Sequence, residues 1–349
     1  MVHVSIMASH EQVSATDLLK DVITMEENGM QKCWTSDHYM PWWHDGGYAG
    51  ATWPWLGAAL AKTNNIIIGT GVTAPILRYH PAIVAQVFAT LGYMFPERVF
   101  LTVGTGEAVN EVPAGNQWPS NVERFERLKE AVDIIKKLWN EEWVDYNGKY
   151  YTLKDSNLYT KPQKPIPLYI AAMGPQTAKF AGEQGDGLVT NEVNVQNLKD
   201  KILPAFKAGV EEISTSMSSL SESKENSANY DKNLPKKNYE NMTKAVFIPA
   251  SYDEDKQKAL KSISFWKGAM IKAFFKVDVH DPREIQENGQ VVGTDTMEKM
   301  AFVISNAEEG IKKVKEYADI GITDVVLINS SPNRENFVKL LSKEIIPVL

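Results

Sequence analysis

The sequence predicts an α/β fold, a (β/α)8 TIM barrel in which eight parallel strands alternate with helices. Eight short apolar runs rich in β-branched residues recur along the 349 residues, and helix-length segments separate nearly all of them. No GxGxxG sequence follows the first run, which disfavours the alternative, a doubly wound open sheet. We expect a single domain over residues 1–349, with insertions in the loops that follow the strands.

Apolar runs and helical periodicity place the elements in order along the chain. The eight predicted strands are His3–Ala8, residues 33–37, residues 66–72, Val99–Val103, residues 168–172, Gly187–Thr190, residues 245–248 and residues 324–328. The clearest helices are predicted over residues 14–29, 53–62, 82–94 and 122–139. Ser14 or Thr16 is the candidate N-cap of the first helix, and Gly29 is its stop signal. Asn147 and Gly148 predict a β-hairpin over residues 143–153.

Residues 214–238 differ in composition from the rest of the chain. They are rich in Ser, Asn, Lys and Glu and nearly free of large apolar side chains. Such a segment buries too little apolar surface to offset the entropy lost on ordering. We therefore expect a mobile surface insertion that is not a domain boundary.

Composition and charge exclude several classes of function. The net charge of -7 gives no support for binding to nucleic acid or to an anionic membrane. The chain has one cysteine, Cys33, no pattern typical of a signal peptide and no apolar run long enough to span a membrane. These observations predict a cytoplasmic protein whose partners are small molecules.

Polar residues directly after the predicted strands are the functional candidates, because a parallel barrel carries its site at the C-terminal strand ends. His38 follows the second strand and suits a general base, although a structural histidine at the barrel rim fits the pattern equally well. Glu107 lies in a glycine-rich turn after the fourth strand, and an exposed loop glutamate is its alternative. Gly174 and Pro175 begin a helix, whose free N–H groups favour an anion.

Four tryptophans lie close together after the second strand: Trp42, Trp43, Trp53 and Trp55. An aromatic wall for a flat ring system would explain them, but core packing explains Trp53 and Trp55 at least as well. The sequence contains no HExxH pair, no cysteine pair, no GxSxG elbow and no Walker loop. We therefore expect no metal site.

Four stretches carry a family resemblance: SDHYMPWWHDGG, RYHPAIVAQVFATLGYMFPERV, VGTGEAVNE and LYIAAMGPQTAKFAGEQGDG. Together they resemble the F420-dependent branch of the luciferase-like barrels. This branch includes F420-dependent secondary alcohol dehydrogenases and F420-dependent glucose-6-phosphate dehydrogenases. The resemblance covers nearly the whole chain apart from residues 214–238.

The resemblance implies a homodimeric oxidoreductase that binds coenzyme F420 in a cleft at the strand ends. His38 would remove the alcohol proton as hydride passes to the deazaflavin C5, Trp42 would stabilise the reacting centre, and Glu107 would donate to the reduced ring. Glu11 matches a further active-site glutamate. A non-proline cis bond that supports the ring maps to Gly71-Val72. The cofactor contacts implied by the resemblance are Asp37, Gly71, Val72, Thr105, Gly106, Asn110, Ala172, Met173 and Gly174.

The family resemblance leaves two substrate classes open, an alcohol and a sugar phosphate. The sugar-phosphate enzymes hold their phosphate with three basic residues, and these positions fall near Val193, Lys276 and Met300, so only Lys276 remains basic. The leading hypothesis is therefore a small, uncharged alcohol as substrate. The alternative is a sugar phosphate held by Lys276 with lysines such as Lys267 or Lys272. An FMN-dependent monooxygenase and a non-catalytic flavin-binding barrel are less favoured.

Overall fold

The computed structural model describes residues 2–222 and 237–349, without the side chains of residues 216–222. Its strands are β1 His3–Ala8, β2 Lys32–Thr35, β3 Ile67–Thr70, β4 Val99–Val103, β5 Val144–Asn147, β6 Thr152–Ser156, β7 Leu168–Ala171, β8 Gly187–Thr190, β9 Thr243–Tyr252, β10 Phe302–Ile304 and β11 Asp324–Asn329. Eight of them form a closed parallel barrel in the order β1-β2-β3-β4-β7-β8-β9-β11, with β11 paired to β1. The predicted fold class is confirmed.

The helices lie mostly between consecutive barrel strands and make the right-handed crossovers that parallel pairing requires. They are α1 Ala15–Glu27, α2 Thr52–Lys62, α3 Pro81–Met94, α4 Ala108–Glu111, α5 Asn121–Asn140, α6 Pro175–Gln184, α7 Val195–Asn197, α8 Leu203–Glu222, α9 Lys256–Ser262, α10 Pro282–Gly289, α11 Thr294–Met300, α12 Ala307–Ala318 and α13 Arg334–Leu340. Short π-helical turns span Leu198–Ile202 and Leu341–Ile345, and 3-10 turns span Tyr239–Asn241, Ile263–Trp266, Lys272–Phe275 and Ile346–Val348. Among the described helices, none is long and apolar enough to cross a membrane.

Most predicted boundaries agree closely with the structure, but β9 runs over Thr243–Tyr252 and is longer than the predicted residues 245–248. Strands β1, β4 and β8 match their predicted ends, Ser14 caps α1, and β5 and β6 form the predicted hairpin. Strand β10 was not predicted, because a run of three residues gives too little periodicity to detect; it pairs with the C-terminal end of β9.

The predicted insertion over residues 214–238 needs a correction at its start. Helix α8 continues to Glu222, so residues 214–222 are helical. Buried Phe206 and Val210 anchor the first half of this helix, and a helix once nucleated extends readily into a polar segment. Residues 223–236 lie outside the described residues, and the mobility of the insertion stays a prediction.

The barrel interior is filled by apolar and aromatic side chains, and its N-terminal end is closed. The interior residues are Met7, Trp34, Phe100, Tyr169, Val189, Ala245, Phe247 and Val326. At the N-terminal strand ends, the Lys32 ammonium lies 4.6–5.2 Å from the ring centroids of Trp34, Phe100 and Tyr169, and 3.0 Å from Asp324 Oδ1. Only the C-terminal end therefore remains as the mouth of the barrel.

A segment between β9 and β10 covers part of this mouth. We call residues 263–276 the roof segment. Trp266 Nε1 donates to Ser330 Oγ over 2.7 Å, just beyond β11, and to Gln12 Oε1 over 3.3 Å, in the loop after β1. Phe275 packs on Trp42, with ring centroids 5.0 Å apart. The roof segment thus touches the loops that follow three different barrel strands.

Candidate active site

His38 occupies the centre of the mouth, in the loop after β2. Its Nε2 lies 3.3 Å from Glu11 Oε1 and 3.2 Å from Glu107 Oε2, while its Nδ1 lies 3.1 Å from the Met40 carbonyl oxygen. A carbonyl oxygen only accepts hydrogen bonds, so Nδ1 carries the hydrogen of the neutral ring. Nε2 is then the nitrogen that gains or loses a proton, and in the charged ring its N–H faces Glu11 and Glu107.

The electrostatics of this group favour proton transfer. Burial opposes a charge on the ring, but Glu11, Glu107 and the Met40 carbonyl outweigh it and raise the pKa of His38. Burial also raises the pKa of Glu107, against the opposing effect of His38. Perturbed groups of this kind, gathered in a cleft, are typical of general acid–base sites.

Glu11 is a buried carboxylate held in one orientation. Its Oε2 accepts hydrogen bonds from Ser9 Oγ, at 2.8 Å, and from Ser36 Oγ. The other oxygen is thereby directed at His38. Because both hydroxyls donate to it, the carboxylate stays in place when the histidine changes its charge.

Asn110 joins the loop after β2 to the loop after β4. Its Oδ1 accepts from the backbone N–H groups of Tyr39, at 2.9 Å, and Met40, at 3.3 Å. Its Nδ2 donates to Glu107 Oε2 over 3.1 Å. The buried amide therefore fixes Glu107 relative to His38.

A second cation lies behind this group, between two more carboxylates. Arg78 Nη2 donates to the Asp37 carbonyl over 2.8 Å and to its Oδ1 over 3.3 Å, and Nη1 donates to Glu111 Oε1 over 2.8 Å. Thr73 Oγ1 and Tyr79 Oη also donate to the Asp37 carboxylate, over 2.7 and 3.2 Å. Both oxygens of Asp37 are engaged inside the protein, and its predicted role as a cofactor contact stays a prediction.

The floor of the mouth is apolar. The Gly71-Val72 peptide bond is cis, as predicted. Val72, Ala171 and Ile328 are partly buried and pack on the interior cluster of the barrel. Gly104 must lack a side chain here, because a Cβ would lie 2.9 Å from Val72 Cγ1. An apolar surface results at the strand ends.

The remaining predicted cofactor residues lie on two neighbouring loops of the mouth. Thr105 and Gly106 connect β4 to Glu107, and Gly106 adopts a positive φ of 70°. Ala172, Met173 and Gly174 connect β7 to α6, with Met173 43% exposed. Gly174 caps α6 without a side-chain bond, which leaves N–H groups of the first turn available to an anion.

Trp42 lies beside His38. Its ring is buried, with its centroid 6.2 Å from that of His38. Trp53 instead stacks on Tyr79 at 4.2 Å, and Trp55 meets His10 edge-on at 5.0 Å. Core packing is therefore the correct interpretation for Trp53 and Trp55.

The lysines proposed for a sugar phosphate differ in their surroundings. Lys276 is exposed at the end of the roof segment, whereas Lys272 Nζ is paired with both carboxylate oxygens of Glu192, at 2.9 and 2.8 Å. Val193 and Met300 line a shared cavity of about 310 Å³, whose wall also includes Lys299 and Lys313. Among the described residues, no group of three His, Cys, Asp or Glu side chains is placed to hold a metal ion.

Comparison with known proteins identifies the family. The luciferase-like monooxygenase family matches residues 1–324. The chain belongs to this family. It is 37% identical to the F420-dependent glucose-6-phosphate dehydrogenase of Microbacterium testaceum, covering 98% of this chain and 96% of that protein. It is 36% identical to the enzyme of the same name from Mycobacterium avium, over 98% and 96% of the two chains.

Solved structures of two relatives share the fold. An F420-dependent secondary alcohol dehydrogenase in complex with an F420–acetone adduct superposes with a TM-score of 0.91 at 37% identity, over 100% of this chain and 99% of the other. The coenzyme F420-dependent tetrahydromethanopterin reductase of Methanopyrus kandleri superposes with a TM-score of 0.75 at 21% identity, over 99% of each chain. The second likeness concerns the fold alone.

Several residues of the site escaped the sequence analysis. Arg78 and Glu111 lie within the stretches that carry the family resemblance, so those stretches were a usable signal for them. Ser36 lies within the first of these stretches but was not singled out there, and Ile328 lies inside a predicted strand, where an apolar residue is common in any barrel. Their contribution depends on contacts that only the folded chain makes.

Proposed function

We propose that this protein is a coenzyme F420-dependent dehydrogenase that oxidises a small, uncharged alcohol with His38 as the general base. The observation that carries the proposal is the Nε2 atom of His38, held between Glu11 and Glu107 at the mouth of the barrel. Relatives at 37% identity carry names that specify F420-dependent dehydrogenases of alcohols or sugar phosphates.

The residues of the mouth suit a deazaflavin cofactor. Val72, Ala171 and Ile328 offer a flat apolar support, and the uncapped start of α6 suits the phosphate of the cofactor's side chain. Glu107, whose pKa burial raises, supplies a proton donor for a heteroatom of the ring. When bound, the deazaflavin supplies hydride acceptance at its C5 carbon.

His38 takes the hydroxyl proton of the substrate at Nε2. The hydrogen bond from Nδ1 to the Met40 carbonyl keeps the ring in the required tautomer. Glu11 and Glu107 then stabilise the imidazolium that forms. Oriented acid–base groups of this kind contribute roughly 10²–10⁴-fold to a rate.

The enclosure around His38 favours an uncharged substrate. Trp42 and Phe275 form an aromatic wall, and the roof segment helps to exclude water from the mouth. Lys272, one of the lysines that a phosphate would need, is already paired with Glu192. A dianion bound here would lack the matched cations that offset its loss of hydration.

A sugar phosphate is the second candidate substrate. Relatives at 36–37% identity are named for glucose 6-phosphate. Lys299 and Lys313 line the cavity that contains Val193 and Met300, and Lys276 is exposed at the end of the roof segment. These three lysines would be the cations of such a site.

Absorbance of oxidised F420 tests these alternatives. The purified protein is mixed with F420 and either 2-propanol or glucose 6-phosphate, and parallel samples contain FMN in place of F420. We expect loss of F420 absorbance with 2-propanol. Loss with glucose 6-phosphate alone would establish the second candidate, and failure to bind F420 while FMN binds would contradict the proposed cofactor.

A homodimer and a cytoplasmic location are further proposals, supported by the family resemblance. Light scattering on the purified protein tests the first, with twice the chain mass expected. Fractionation of the source cells tests the second.

A further inference from the structure

The roof segment crosses the mouth of the barrel from one side to the other. Its 3-10 turn Lys272–Phe275 contacts Trp42 through Phe275, and Glu192 through Lys272. Trp42 lies in the loop after β2, whereas Glu192 lies just beyond β8. In the closed order β1-β2-β3-β4-β7-β8-β9-β11, strands β2 and β8 are four places apart in either direction, so they lie opposite each other.

Two side chains of this turn, Phe275 and Lys272, make the contacts with the two sides of the mouth. In a 3-10 helix, side chains three residues apart lie on the same face. Phe275 and Lys272 therefore share one face of the turn and reach opposite rims of the mouth. The ion pair of Lys272 with Glu192 lies at the rim after β8, across the mouth from the loop that carries His38 and Trp42.

Glu192 is held firmly at that rim. Its carboxylate accepts from Lys272 Nζ with both oxygens and from the Asn194 N–H over 3.0 Å, and its own N–H donates to Thr190 Oγ1 over 3.1 Å. The adjacent Val193 carbonyl accepts from Tyr317 Oη over 2.8 Å. The carboxylate is mostly buried, with 12% of its side chain exposed. A preorganised anion thus stands at the rim of the mouth opposite the loop after β2.

From this arrangement we infer that the Glu192–Lys272 pair is a specificity determinant that discriminates against substrates with a negative charge remote from the reacting carbon. Glu192 repels such a charge, and it also neutralises the nearest cation, Lys272. A neutral alcohol experiences neither effect. The inference rests on the proposed function, because it assumes that the substrate occupies the space between His38 and the roof segment.

The test compares ligands that differ only in charge. Dissociation constants of glucose and of glucose 6-phosphate are measured by fluorescence of F420 bound to the protein, which requires no turnover. In Glu192→Gln we expect the ratio of the two constants to shift about tenfold towards the phosphate, since one repulsive charge is removed and Lys272 is released. In Lys272→Met we expect a shift in the opposite direction, because Glu192 then stands unpaired.

Glu335→Gln is the matched control, since Glu335 pairs with Lys339 at 2.6 Å on the exposed face of α13. In this variant the ratio of the dissociation constants of glucose and glucose 6-phosphate should stay within about twofold of the ratio in the original protein, as expected for a surface pair. An unchanged ratio in Glu192→Gln, or shifts of the same sign in Glu192→Gln and Lys272→Met, would overturn the inference. A failure of the proposed function would be seen in a separate measurement. In that case the original protein would not reduce F420 with 2-propanol.

Discussion

Two groups at the barrel mouth each place one basic side chain between two carboxylates, but the basic side chain differs between them. The imidazole cluster places His38 between Glu11 and Glu107, and the guanidinium cluster places Arg78 between Asp37 and Glu111. The clusters are neighbours along the chain as well as in space. Asp37 directly precedes His38, and Glu107 and Glu111 are four residues apart at α4.

The cation decides what each cluster does. Asp37 and Glu111 outweigh the effect of burial and raise the pKa of Arg78, so the guanidinium stays charged at any physiological pH. It exchanges no proton and joins the two loops. The side chain of Glu107 is 25% exposed, whereas that of Glu111 is fully buried. Only the imidazole cluster combines a titratable cation with access to the mouth.

Replacement of His38 should produce the largest effect of this comparison. In His38→Ala, turnover should fall roughly 10²–10⁴-fold, while F420 affinity changes little. Steady-state kinetics and fluorescence titration with F420 measure both. His280→Ala is the control, because His280 also pairs with a carboxylate, Asp278 at 2.8 Å, but on the surface. Equal turnover in the two variants would contradict the assigned role.

Replacement of Arg78 should act mainly on stability. In Arg78→Met, two buried carboxylates lose their cation, and the free energy of unfolding should fall by about 3–5 kcal/mol. Urea denaturation measures this fall. Arg127→Met removes an arginine from a partly exposed pair with Glu123 and should cost less than about 1 kcal/mol. A similar fall in the free energy of unfolding for the two variants would show that the guanidinium cluster does not stabilise the fold.

Replacement of Asn110, which joins the loop after β2 to the loop after β4, should have the smallest effect. Asn110→Ala leaves the N–H groups of Tyr39 and Met40 without their acceptor and should cost about 1–3 kcal/mol of stability. Turnover should fall about tenfold, because Glu107 loses its fixed position. Asn116→Ala, which removes only a bond of 3.3 Å to the Glu111 carbonyl, should leave turnover within about twofold. A larger loss in Asn116→Ala would refute the assignment.

Much of the fold was predictable from the sequence because barrel strands carry a strong local signal. Strands such as Val99–Val103 are buried on both faces and appear as unbroken apolar runs between turns. His38 and Glu107 were predictable by position, since polar residues at C-terminal strand ends gather at one mouth. Glu11 and the cis bond at Gly71-Val72 came from the family resemblance alone.

Pairings between distant residues were not predictable. The bond from Lys272 to Glu192 spans 80 positions, and that from Arg78 to Asp37 spans 41. No local pattern marks either partner, because a charged side chain on a loop appears the same whether it is solvated or paired. The position of the roof segment over the mouth escaped prediction for the same reason. Its apolar residues indicate that the segment is buried, but they do not indicate which other part of the protein it packs against.

The pH dependence of F420 reduction tests the central claim, that His38 accepts the alcohol proton. Oxidation requires the neutral ring, so kcat/KM for 2-propanol should rise with pH through the apparent pKa of the imidazole cluster. That value should lie above the usual histidine pKa of about 6.5, because Glu11 and Glu107 stabilise the charged ring. In His38→Ala this rise should vanish, leaving a low rate that does not follow the same pH dependence. A rise that persists unchanged in His38→Ala would contradict the account.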